Sequence, residues 1–249
     1  TLKRDASFTA LFNSSNFTQM RGQHFDEVVC AGISAIKWKA NKEPELDWQG
    51  IQALLDVLAE VETEHFTLVS TVDVYPDPSQ PVDEHFAIPL EAGQPYGRHR
   101  LAAERFIQER FAQTLVLRLP ALFGRGLKKN VIFDLLTGNQ TDKINPAGLF
   151  QWYPVSRLWS DIERARGAGL NLANLFPEPV PTQRIVSELF PGAMVGEAMQ
   201  PAPHYCLGTA HAKTFGGEGR YIVDGEAVLA NLSAFVERAR RDPAAELGA

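Results

Sequence analysis

Two residue periods alternate along this chain, and that alternation constrains its fold more than any other feature. FDEVVCAG (25–32), FTLVSTVDVY (66–75) and TLVLRLPALFG (114–124) are short, β-leaning apolar runs that pass into small or polar residues. Such runs suit buried strands ending in loops. Between them lie DWQGIQALLDVLAEV (47–61) and YGRHRLAAERFIQERF (96–111), both of helical length. In the first, Ile51, Leu54, Leu55, Val57, Leu58 and Val61 recur at three- and four-residue steps behind Asp47, which reads as the N-cap. Strands alternating with helices of this length form βαβ units and a parallel sheet. The fold class expected is therefore α/β, a doubly wound parallel sheet. Ligands of such sheets bind beyond the carboxyl ends of the strands, which here are CAGIS, STVDV and LPALFG.

Upstream, TALFNSS (9–15) also reads as a strand, and the chain start reads as a helix running into it. After Gly124 the pattern loosens into one helix and a polar connection. SRLWSDIERARGAG, PTQRIVSELF and GEAVLANLSAFVERARR read as helices, LNLANL as a strand, and 191–220 as loop-rich. The domain expectation is a dinucleotide-binding unit over 1–125 to which 150–176 returns. A smaller substrate region and closing helix fall to 126–149 and 177–249.

Composition narrows the function classes. With 24 basic against 30 acidic side chains, a formal charge of −6 and no long basic run, a nucleic-acid surface has no support. Cys30 and Cys206 stand far apart, which argues against a disulfide framework and a structural zinc. The six histidines are scattered, and no pair has metal-ligand spacing, so no metal is expected. No apolar run reaches the roughly 18 residues of a membrane span, and no secretory leader is evident. The expectation is a cytoplasmic protein with a small-molecule partner.

PYGRHR (95–100) poses the chemical question. A tyrosine and a cation four residues apart share one helix face. They can form a proton-transfer pair, or the ring can lie packed under the guanidinium. A phenol with pKa near 10 is a poor base at neutral pH unless a fixed cation stabilises its anion. Arginine supplies that charge but effectively never gives up its proton, and its planar fork needs more room than an ammonium.

Three pieces taken together resemble a known family. Ser70, Thr71, Val74 and Tyr75 are followed by Tyr96, Gly97, Arg100 and Glu104, then by Arg118, Pro120, Phe123 and Gly124. In order and spacing this resembles the extended and atypical short-chain dehydrogenase/reductases, specifically the nucleotide-sugar epimerase/dehydratase branch, over about residues 25–125 with a fainter echo to 190. The resemblance implies a Rossmann-like fold, NAD or NADP as cofactor, and an oxidoreductase or epimerase acting on a hydroxyl or keto group of a small, sugar-derived or nucleotide-sugar substrate. It makes Tyr96 the acid/base, gives Thr71 a hydrogen bond to the reacting oxygen, and puts Arg100 where the family has lysine. It assigns Ala31, Gly32, Ile33, Pro120 and Leu122 to the cofactor lining, with Tyr96 and Arg100 beside them. Asn13 and Ser14 fall at the adenosine ribose. It also implies a homodimer through the helices near 47–61 and 96–111.

Several positions depart from the family pattern. The Gly-x-x-Gly-x-x-Gly loop is not in the sequence; a first strand and pyrophosphate turn of roughly 15 to 20 residues would stand ahead of Thr1, and the sequence reads as a fragment. Val72 and Asp73 occupy the places of the dehydratases' Asp-Glu pair, which disfavours 4,6-dehydration. Gln151 stands where arginine often holds the nucleotide diphosphate, while Asp161 keeps its place. Asp73, Lys128, Asn130 and Gln151 are the candidate substrate contacts, although Asp73 also reads as an exposed loop residue. Trp152, Tyr153 and Trp159 read as core or interface aromatics, and His99 as a surface residue. The alternative function, motivated by Arg100, Val72 and Gln151 together, is a catalytically silent dinucleotide- or metabolite-binding protein on the same fold.

Overall fold

The computed structural model describes residues 6–248. Four parallel strands form its main sheet in the order β1 (His24–Cys30), β2 (Glu62–Thr71), β3 (Thr114–Leu119) and β7 (Leu172–Asn174). The crossovers carry α1 (Lys37–Lys42) and α2 (Pro44–Leu58) between β1 and β2, and α3 (Pro95–Arg110) between β2 and β3. The path from β3 to β7 is longer. It contains β4 (Ala121–Phe123), α4 (Val131–Thr137), β5 (Leu149–Phe150), β6 (Trp152–Pro154) and α5 (Leu158–Gly167). The doubly wound α/β reading is borne out.

Period-2 alternation decides what each sheet face meets. Leu115, Leu117 and Leu119 of β3 pack with Leu158, Ile162 and Ala165 of α5. Val116, from the opposite face, joins Phe66 and Leu68 of β2 under Ile51, Leu55 and Leu58 of α2 and Ala103 and Ile107 of α3. A separate core forms where β8 (Val180–Pro181) and α6 (Thr182–Leu189) meet α7 (Gly225–Arg241), with Ile132, Trp152, Ile185, Leu232 and Phe235 at its centre. The short α8 (Pro243–Glu246) follows.

Two readings of the N-terminal part need correction. Residues 9–15 form no strand, and 6–12 form no helix; the first five residues of the expected helix lie outside those described. Phe12 packs edge-on against Phe25 of β1, and Asn13 closes a turn onto Ser15 and Asn16. A β-leaning run becomes a strand only where a neighbour takes its backbone hydrogen bonds. The second correction concerns Asp47. Pro44 occupies the first turn of α2, so the helix starts three residues earlier and Asp47 lies inside it.

Candidate active site

The ends of β1, β2 and β3 open onto one edge of the sheet, with Cys30 level with Leu68 and Thr71 level with Leu119. There β2 runs into a 3-10 turn over Val72–Val74, in which Thr71 Oγ1 accepts the Asp73 N–H at 3.2 Å. The N-terminus of α3 lies against this turn. A Cβ on Gly97 would sit 1.9 Å from the Asp73 carbonyl oxygen. Glycine is therefore required for α3 to approach closely enough to deliver Tyr96. The Tyr96 N–H donates to Asn41 Oδ1 of α1 at 2.9 Å, satisfying one of the open donors at that helix end.

Tyr96, Arg100 and Glu104 form one buried column at four-residue steps along α3. This polar stripe explains why the α3 sequence carries so few apolar residues on its inner face. At its lower end Glu104 receives Arg118 Nη2 at 2.7 Å, while Arg118 Nη1 donates to the Tyr75 hydroxyl at 2.9 Å. Tyr75 also accepts from Asn174 Nδ2 at 2.8 Å, so β2, α3, β3 and β7 share one buried network beneath the site.

Arg100 is committed elsewhere than at the Tyr96 hydroxyl. Its Nη1 and Nη2 donate to Asp47 Oδ2 and Oδ1 at 2.6 and 2.9 Å, to the Tyr96 carbonyl at 3.1 Å and to the Ser34 carbonyl at 2.5 Å. Its guanidinium carbon lies 3.9 Å from the centroid of the Tyr96 ring. The ring is thus stacked by the cation, and the charge is matched by a bidentate carboxylate. His99, expected at the surface, is half-buried and shares Asp47 through Nδ1 at 2.8 Å. Burial pushes the Asp47 carboxyl up, but hydrogen bonds and charge from Arg100 and His99 outweigh it and hold the carboxyl below its ordinary value.

Burial raises the Tyr96 phenol, Arg100 pulls it down, Asp73 pushes it up, and a hydrogen bond with Thr71 and the charge of Lys37 pull it down; the net direction is up. Asp73 is not the exposed loop residue of one sequence reading. Its Oδ1 receives Lys37 Nζ at 2.6 Å and the Tyr205 hydroxyl at 3.4 Å. Lys37 and Tyr205 stand in no motif, and only the fold brings them here. The structure thus brings together Thr71, Asp73, Tyr96, Lys37 and Tyr205, with the 31–36 loop beside them.

Other candidates fall outside this group. Gln151 is fully buried and donates its amide to the carbonyls of Pro177 and Leu207 at 2.7 and 2.8 Å, so it braces loops and does not present an amide to a ligand. Asn130 caps α4 through the N–H groups of Ile132 and Phe133 and donates to the Leu122 carbonyl, which occupies its side chain. Asn13 and Ser14 lie in the turn ahead of β1, not at a strand end. Asp161 is buried under the Tyr153 hydroxyl, Arg157 and Arg164. Trp152 and Tyr153 are buried in the core.

Two features of this edge bear on a dinucleotide. A Cβ built on Gly32 would meet nothing within 4 Å, so the backbone there, just beyond the carboxyl end of β1, is open to approach. Among the described residues no glycine-rich turn follows a strand end to cradle a pyrophosphate. No group of His, Cys, Asp and Glu among them has the arrangement of a metal site.

Comparison with known proteins places these features. The model of the NAD dependent epimerase/dehydratase family matches residues 8–151. No curated protein sequence matches the chain. Among solved structures, the chain is similar to a UDP-N-acetylglucosamine 4-epimerase from Methanobrevibacter ruminantium in complex with UDP-N-acetylmuramic acid, with a TM-score of 0.69, 14% identity and coverage of 90% of this chain and 79% of that one. It is also similar to a UDP-glucose-4-epimerase from Stenotrophomonas maltophila with bound NAD and formylated UDP-arabinopyranose, at 0.64, 14%, 91% and 81%. A third is RMD from Pseudomonas aeruginosa complexed with NADPH, at 0.62, 18%, 87% and 80%. At these identities the likeness establishes the shared fold.

Proposed function

The chain belongs to the NAD dependent epimerase/dehydratase family and is an enzyme of that family, and from that premise we propose that it is an NAD(P)-dependent oxidoreductase or epimerase acting on a hydroxyl or keto group of a small, sugar-derived substrate, with Tyr96 as its acid/base. The observation that carries the proposal is the placement of Thr71 and Tyr96 at the carboxyl end of β2, where Gly97 of α3 lies against the carbonyl of Asp73 in the turn that Thr71 opens. The similar structures hold NAD, NADPH or a UDP-linked sugar by their own descriptions, which supports the same chemical class here.

Bound nicotinamide supplies or accepts a hydride. The protein's own task is the proton. Tyr96 gives its hydroxyl proton to a carbonyl oxygen that is becoming an alcohol, or takes one from an alcohol that is becoming a carbonyl. Thr71, oriented by the Asp73 N–H on its oxygen, holds the oxygen that exchanges this proton. Arg100 keeps the ring fixed from its face and adds positive charge to the surroundings of the phenol. Loss of water from the sugar is disfavoured, because Val72 has no proton to give a leaving hydroxyl.

The test uses purified full-length protein. NADH and NADPH are titrated by fluorescence, and UDP-glucose and UDP-N-acetylglucosamine are then incubated with the preferred cofactor and analysed for epimers. Saturable binding of one dinucleotide and conversion of a sugar nucleotide are expected. Binding of neither dinucleotide refutes the proposal.

A further inference from the structure

The cation over Tyr96 does not stand alone. The guanidinium carbon of Arg100 lies 3.9 Å from the centre of the Tyr96 ring and its Nη1 donates to the Tyr96 carbonyl at 3.1 Å, so the arginine grips the tyrosine by ring and backbone. Only 3% of Arg100 is exposed, which leaves little water to screen its charge. Its Nε is buried without a hydrogen-bond partner, and the carbonyls of Ser34 and Tyr96 carry no net charge. Among the described residues, Asp47 of α2 is the one carboxylate bonded to it.

We propose that Asp47 is a positioning residue for the proton chemistry of Tyr96: it fixes Arg100 over the ring and offsets the positive charge that the guanidinium brings to the phenol. The inference rests on the acid/base role of Tyr96 proposed above. The two oxygens of Asp47 take Arg100 Nη1 and Nη2 at 2.6 and 2.9 Å, a fork-to-fork match that sets the plane of the guanidinium as well as its distance. The Asp47 side chain is itself 9% exposed, so water screens the carboxylate little more than it screens the cation. The phenol therefore faces an ion pair and not a lone positive charge.

The arrangement separates geometry from charge. With the pair intact the ring is held in place while the phenol keeps its proton, in line with a hydroxyl whose burial outweighs the pull of Arg100. Without the carboxylate the same guanidinium, in the same place, favours the phenolate. Asp47 thus sets how readily Tyr96 gives up its proton without touching a substrate. The other titratable and charged groups around the column are few. His99 of α3 shares Oδ2 of Asp47 at 2.8 Å, and Glu104, one turn beyond Arg100, is taken by Arg118. Asp73 after β2 and Lys37 of α1 also act on the phenol.

Two readouts test this on full-length protein. The first needs no substrate or cofactor: phenolate absorbance is followed against pH, and the Tyr96 transition is isolated by subtracting each protein's Tyr96→Phe counterpart. Asp47→Asn keeps the shape of the side chain and removes its charge, and the Tyr96 midpoint falls by roughly one pH unit. Asp47→Leu/Arg100→Met removes both charges and leaves the midpoint near the wild-type position; it strands no charge, so it gives a reading even where Asp47→Asn is too unstable to purify. The second readout is the pH–rate profile in the sugar-nucleotide assay, which in Asp47→Asn moves toward acid by the same amount. Mere loosening of the site lowers the rate without moving the profile. An unmoved or raised midpoint in Asp47→Asn, or a midpoint about one pH unit higher in the double variant, overturns the inference. Failure of the underlying reading has a different signature: Tyr96→Phe then turns over like wild type, while the phenolate midpoint still follows the charge at position 47.

Discussion

Replacing Asp47 by leucine removes a carboxylate that holds two of the four acceptor contacts of the Arg100 guanidinium. Both partners are buried, with 3% of the Arg100 side chain and 9% of the Asp47 side chain exposed. The mutation therefore leaves an uncompensated cation inside the protein. Removing one partner of a buried pair costs about 3–5 kcal/mol, more than the pair contributes relative to apolar groups of the same shape. Urea unfolding followed by circular dichroism measures it. With a slope of about 3 kcal/mol per molar for a chain of this size, the midpoint falls by about 1–1.7 M. The double variant Asp47→Leu/Arg100→Met leaves no stranded charge and recovers at least about 2 kcal/mol of the loss. A loss below about 1 kcal/mol in Asp47→Leu would refute the reasoning, because Arg100 would then not depend on Asp47.

Two further outcomes follow from the same geometry. The depressed Asp47 carboxyl contributes stability that is complete above the unfolded carboxylate value near pH 4 and is lost as pH falls through its lower folded value; the stability gap between wild type and Asp47→Leu therefore shrinks in acid unfolding titrations, and a gap constant with pH contradicts this. Gly97→Ala forces a methyl group against the Asp73 carbonyl and costs about 1–3 kcal/mol, lowering Tm by about 2–12 °C in calorimetry, whereas an unchanged Tm shows that α3 can stand off from the turn.

The sheet, and the placement of Thr71 and Tyr96 at one edge of it, were legible in the sequence for a local reason. Strand and helix periods need only near neighbours to be read, and Thr71 and Tyr96 stand at the boundaries between periods, where a parallel sheet exposes its ligand-facing ends. What was not legible depended on partners distant in sequence. Asp47 looks like a cap because an aspartate before an apolar run usually is one, yet Pro44 starts the helix and Arg100, 53 residues away, takes the carboxylate. Lys37 sits in SAIKWKANK among other lysines, and only the placement of α1 against the turn after β2 distinguishes it. Gln151 was matched by position alone, while its burial and two carbonyl partners come from loops at Pro177 and Leu207. TALFNSS has the composition of a strand, but among the described residues no strand pairs with it.

The central claim is that Tyr96 moves the proton, and the turnover of Tyr96→Phe tests it most directly. Phenylalanine keeps the ring under Arg100 and removes only the hydroxyl, so the fold and dinucleotide affinity stay close to wild type. The account predicts that turnover of the sugar nucleotide falls by about 100-fold to 10,000-fold. Turnover within a few-fold of wild type would contradict it.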